Sequence, residues 1–109
     1  MMLKTLEQVQ LAIKNDISVL LYFKTQSCSV VEALEPKVEK LLSSTFPEMK
    51  KIEIDLNISP EIAAHFNAFV EPTILVFFEG KETIRRSRNI SIIELESAVL
   101  RPYELIFKN

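Results

Sequence analysis

Apolar positions along this chain recur with two alternating periods, and the switches between them mark out the elements. Leu6, Val9 and Ile13 share one helical face between Thr5 and Asn15, with Thr5 and Gln8 spaced as a capping box, so the chain opens with an amphipathic helix. Ile17 to Phe23 is apolar except for Ser18, the pattern of a strand covered on both faces at a sheet's centre. After Lys24-Thr25-Gln26-Ser27 the helical spacing returns, and Val31, Leu34, Val38, Leu41 and Leu42 predict a helix from Cys28 to about Ser44. Lys51 to Leu56 alternates strictly, with Ile52, Ile54 and Leu56 opposite Glu53 and Asp55, as a strand nearer an edge does. Ser59-Pro60-Glu61 supplies a cap, a first-turn proline and a dipole-favoured acid for a short helix carrying Ile62, Ala63 and Phe66. Thr73 to Phe78, then Thr83-Ile84, flank Glu79-Gly80-Lys81 and predict an antiparallel hairpin with the only glycine at its turn. Ser91 and Glu94 form a second capping box for a helix with Ile92, Leu95 and Val99 on one side, which Pro102 is expected to interrupt.

The order is helix, strand, helix, strand, helix, strand, strand, helix: an α/β chain whose economical packing is a mixed sheet flanked by helices. The crossover through the helix at Cys28 is expected to be parallel and right-handed. At 109 residues the chain is expected to form one domain, 1–109. With 13 Leu, 12 Ile, 8 Val and 7 Phe it is far from a disordered composition. A formal net charge of -2 supplies no positive field for nucleic acid or an anionic membrane surface, so neither is expected as a partner. No apolar run reaches the roughly 18 residues of a membrane-spanning helix. Lys4, Glu7, Lys14 and Asp16 break up any signal-peptide core, so a soluble, cytoplasmic protein is expected. One cysteine excludes an internal disulfide and any multi-cysteine zinc or iron-sulfur site.

With Cys28 opening a helix after a central strand, and Val70-Glu71-Pro72-Thr73 opening the hairpin, the chain resembles the thioredoxin family from Thr5 to Leu100. Val19-Leu20-Leu21-Tyr22-Phe23-Lys24-Thr25-Gln26-Ser27-Cys28 is similar to that family's strand, loop and active-site segment. Pro36 stands where the family kinks its active-site helix, and Ile54-Asp55 and Phe77-Phe78-Glu79-Gly80-Lys81 also sit at matching places. The resemblance implies a three-layer α/β/α sandwich on a mixed four-stranded sheet, with room for a short extra strand, and a cis bond before Pro72. The departures matter as much. The family's C-x-x-C reads Cys28-Ser29-Val30-Val31, so valine replaces the resolving cysteine. Ser27 stands in place of a tryptophan, Tyr22 in place of a buried acid, and Arg88 about where a glycine is expected. Glu71 occupies a usually apolar place before the proline, where its carboxylate is expected to face the thiol.

A thiol at a helix N-terminus meets the dipole's positive end and unsatisfied N–H groups, which favour thiolate; Lys24 would add to this and Glu71 oppose it. Cys28 has two readings: a reactive thiol, or an ordinary small core residue. If it reacts, exchange stops at a mixed disulfide that an outside thiol must resolve. The function expected is therefore redox homeostasis with at most weak single-thiol exchange at Cys28. Ser27, Ser29, Glu71 and Pro72 would contact a thiol-bearing or extended peptide or protein substrate, with glutathione a further candidate. The alternative is a binding module on the same fold that has lost redox activity. No cofactor or metal is expected: His65, the only histidine, has no accompanying ligand cluster and reads as helix surface. Arg85, Arg86 and Arg88 read as the solvated end of an edge strand, and Phe66, Phe69, Phe77 and Phe78 as core. Leu105-Ile106-Phe107 must be covered, by packing on the sheet or by a second subunit, and a monomer or weak homodimer is expected.

Overall fold

The computed structural model describes residues 1–25 and 29–107, with side chains described except at 29–32. Eight elements follow in the predicted order: α1 (Leu6–Asn15), β1 (Ser18–Lys24), α2 (Ser29–Ser44), β2 (Lys50–Asp55), α3 (Pro60–Phe66), β3 (Thr73–Phe78), β4 (Lys81–Ser87) and α4 (Ile92–Phe107). The strands form one sheet in the order β2-β1-β3-β4, with β1 parallel to β2, and β3 antiparallel to both β1 and β4. The extra strand is reduced to a single bridge, Met2 against Glu53 at the outer edge of β2.

Alternation along β1 divides the core. Val19, Leu21 and Phe23 join Ile52, Ile54, Leu75 and Phe77 beneath α1 and α3, with Val9, Ile13 and Ile62. Leu20 and Tyr22 join Ile74, Val76 and Phe78 beneath α2 and α4, with Leu34, Val38, Leu95 and Val99. Both faces of β1 and β3 are therefore covered, which explains why those strands are nearly all apolar while β2 and β4 alternate at the edges.

Several local expectations change under tertiary packing. Ile17 lies outside β1 and is exposed; Ser18 is buried, its hydroxyl donating to the Glu48 carbonyl at 3.2 Å. Ser59 makes no side-chain cap, because its hydroxyl donates to Lys4 O at 2.6 Å and ties α3 to the segment before α1. Thr5 and Gln8 do form the reciprocal capping box. At Ser91 only half of one forms: Ser91 Oγ accepts from the Glu94 amide, while the Glu94 carboxylate pairs with Arg86.

Pro102 does not interrupt α4, which runs to Phe107. The missing proline N–H costs helix stability, but the last turn gains burial. Tyr103 stacks between Phe46 and Phe107 at 4.9 and 4.6 Å and accepts a hydrogen bond from the Glu48 amide, while Ile106 and Phe107 pack on the α2/α4 core. Leu105 remains exposed. Phe69 also departs from expectation: it is 65% exposed, whereas Phe66 packs edge-on against Phe23 and Phe77. No helix among the described residues is long and apolar enough to cross a membrane.

Candidate functional site

The parallel strands β1 and β2 end together, and the loop before β3 closes over the same end. Register pairs Phe23 with Ile54 on one side and with Thr73 on the other, so Thr25, Asp55 and Pro72 each lie one residue beyond or at these ends. The β1–β2 ladder continues one bond further, from the Leu56 amide to the Lys24 carbonyl at 2.8 Å. The Glu71–Pro72 peptide bond is cis. Pro72 is buried, and its carbonyl accepts from the Arg88 amide at 2.9 Å. Thr73, also buried, donates its hydroxyl to the Val70 carbonyl and contacts Ser87 Oγ at 3.1 Å, closing the loop on itself.

Glu71 is held rather than free. Its carboxylate accepts from the Thr25 amide at 2.8 Å and from the Thr25 hydroxyl at 2.8 Å, so the negative charge is fixed against the residue that follows β1. Cys28 and Ser27 lie outside the described residues. Ser29 is the first residue of α2, so Cys28 is its immediate neighbour in sequence.

Lys24 does not reach back over the loop. Its ammonium sits 2.8 Å from Glu35 and 2.6 Å from Glu53, and Lys51 in turn meets Glu35 and Glu39, both at 2.7 Å. Lys24, Lys51 and Glu53 lie on the face of the sheet that α2 covers. With side chains only 12, 11 and 21% exposed, against 19% for Glu35, the network is largely shielded from water. Burial opposes the charge on Lys24 and Lys51, but hydrogen bonds to the carboxylates outweigh it and hold both above the usual lysine range. Burial likewise opposes the charge on Glu35, and the two ammonium donors win, holding it below the usual carboxylate range. Lys51 also lies 5.3 Å from the centre of the Tyr22 ring, the residue that stands in the expected place of a buried acid.

The carboxylates of Glu35, Glu39 and Glu53 approach within 4.8 Å of one another, close enough to suggest a cation site. Their charge is already answered by two lysines, which makes this an ion-pair network rather than a metal centre. Its signal in the sequence was the i, i+4 pair Glu35 and Glu39 in one helix, together with lysine and glutamate on the non-apolar positions of β2. Periodicity alone could not show that these meet Lys24.

Arg88 takes a left-handed conformation, φ 68°, at the place where a glycine was expected. Arg85 and Arg86 are engaged: Arg85 with Glu82 and with the carbonyls of Phe66 and Asn67 at the end of α3, Arg86 with Glu94. His65 is exposed on α3, within 3.4 Å of the Gln10 amide nitrogen.

A mixed sheet ordered β2-β1-β3-β4 between two helical layers, with a cis-proline loop over the β1 terminus, defines the thioredoxin-like α/β/α class. The thioredoxin family model matches residues 2–99, and the chain belongs to that family. It is 29% identical over 103 residues to the thioredoxin-like protein YdfQ of Bacillus subtilis, covering 94% of this chain and 91% of that protein. Among solved structures, Fasciola hepatica thioredoxin is 27% identical with TM-score 0.77, over 92% of this chain and 96% of its own. Trypanosoma brucei brucei thioredoxin is 19% identical and shares the fold with TM-score 0.85, over 95% of this chain and 90% of its own.

Proposed function

We propose that this protein engages extended, thiol-bearing protein segments at the Pro72 loop and performs single-thiol exchange through Cys28, in the cytoplasm and without a cofactor. The carrying observation is the pairing of Cys28, at the residue before α2, with Val31 three positions on, in a chain with no second cysteine. The Cys28 thiolate would attack a disulfide R–S–S–R′, forming Cys28–S–S–R and releasing R′S⁻. With no internal thiol to follow, an outside thiol such as glutathione attacks the mixed disulfide, regenerates the Cys28 thiolate and leaves as the new disulfide. Electrons and protons balance without any further reactant. A reducing compartment suits an unpaired thiol. Ser27, Ser29, Glu71 and Pro72 frame the segment that delivers the disulfide, and extended chains are recognised through backbone groups of such loops.

The charge arrangement favours a second reading, a non-catalytic binding module. The one cation expected to favour thiolate, Lys24, is committed to Glu35 and Glu53. That commitment removes a charge that would favour Cys28 as a nucleophile. Exposure of the native protein to oxidised glutathione, followed by intact-mass measurement, decides between the two. An adduct on the folded protein that is absent from Cys28→Ser supports exchange, whereas an adduct formed only after denaturation leaves the binding module.

A further inference from the structure

Helices α2 and α4 leave an open groove along the face they share. At one end a cavity of about 250 Å³ is lined by Lys37, Lys40 and Leu41 of α2 and by Ile92 and Glu96 of α4. At the other a cavity of about 400 Å³ is lined by Leu100, Tyr103 and Phe107 of α4, and Ser44 and Thr45 line both. Within each helix these positions recur three and four residues apart, so a single stripe of α2 forms one wall and a single stripe of α4 the other. Residue numbers rise together along the two walls, which means that the helices run in the same direction. Charge is divided between the walls: α2 brings Lys37 and Lys40, both exposed, and α4 brings Glu96. Among the described residues none of these three is in an ion pair within the chain. Apolar surface is exposed on the same side of α4, at Leu100 and at Ile93 two turns before it.

Parallel walls of opposite charge have a symmetry consequence. A twofold axis laid along the groove turns α2 of one copy over α4 of the other without reversing its direction, so that residues at the same height face each other. Lys37 and Lys40 of each copy then meet Glu96 of the other, twice over, while Leu100 and Ile93 are covered. We infer that the α2/α4 face is an isologous interface between two copies of this chain. A second copy suits the groove because the chain itself carries both halves of the charge pattern that the groove requires. The Arg88 amide on the Pro72 carbonyl keeps the start of α4 near the Pro72 loop, so the same axis brings both loops to one end of the dimer. This interface is separate from the exchange reading and does not require Cys28 to react.

The test is sedimentation equilibrium of the full chain from about 10 μM to about 1 mM, the weak end of specific association, with dithiothreitol present so that no Cys28 disulfide contributes. The mass is expected to rise with concentration toward that of a dimer, and the association to weaken with salt. Leu100→Lys and, separately, Glu96→Lys, each verified as folded by circular dichroism, should weaken association by about five- to thirty-fold, since every substitution acts twice across a twofold axis. The double variant Lys37→Glu, Lys40→Glu should also oppose self-association. An equimolar mixture of that chain with the Glu96→Lys chain regains opposite charges at both contacts and is expected to associate again, which a label on one chain reports. A monomer at every concentration overturns the inference. A dimer that tolerates both Leu100→Lys and Glu96→Lys overturns it too, because such a dimer uses another face, and so does a mixture in which the charge-reversed chains stay apart. Glutathione adduct formation on Cys28, measured separately, bears on the exchange reading alone.

Discussion

Replacing Glu35 by Gln removes one charge from the network that holds α2 to the ends of β1 and β2, and its cost can be worked from the geometry. The Glu35 carboxylate meets two ammonium groups at 2.8 and 2.7 Å, and its side chain is 19% exposed. Surface ion pairs contribute about 0–1 kcal/mol and breaking a fully buried pair costs about 3–5 kcal/mol. Here neither lysine is orphaned, since Lys24 keeps Glu53 and Lys51 keeps Glu39. The loss should therefore fall between these limits, at about 1.5–3 kcal/mol, or about 6–15 °C in Tm for a chain of this size. Its pH dependence follows from the direction of the shift. Glu35 is held below its ordinary value of 4.5, so its contribution is full above that value and is lost as pH falls through the lowered one. Lys24 and Lys51 are raised above 10.5, so their contributions stay intact at neutral pH and are lost only in alkali. Urea unfolding of both proteins at pH 7 and along the acid limb should show a gap that narrows as the wild-type carboxylate protonates. Equal stability at pH 7, or a gap of constant size down the acid limb, would refute the reasoning.

Arg88→Gly should stabilise the fold by about 0.5–1 kcal/mol, because relief of a left-handed side-chain conformation exceeds the entropy cost of glycine at a position outside any element; a loss in thermal unfolding would contradict this. Phe66 and Phe69, three residues apart and alike in sequence, should behave oppositely. Phe66→Ala is expected to cost about 2–4 kcal/mol for its partly buried edge contacts with Phe23 and Phe77, whereas Phe69→Ala should stay within about 0.5 kcal/mol. Matching losses in denaturant titrations would show that Phe69 is covered in solution.

The eight elements and their order were legible in the sequence because each is written in a local period: 3.6 for α1, α2 and α4, two for β2, and an unbroken apolar run for β1 and β3, which are buried on both faces. The place of Cys28 before a helix, the absence of a second cysteine and the hairpin turn at Gly80 needed no coordinates either. Cysteine count and a left-handed turn residue are properties of the chain itself. The partners of side chains from different elements were decided by tertiary structure alone. Lys24 turns to Glu35 and Glu53 because strand register and helix seating bring them onto one face. Glu71 turns to Thr25 because the Pro72 loop crosses the end of β1. α4 outlasts Pro102 because Tyr103 and Phe107 find cover on Phe46 and the core. Periodicity reports which face of an element is buried. What that face or its polar edge meets depends on residues up to several tens of positions away in sequence, and only the folded chain brings them within reach.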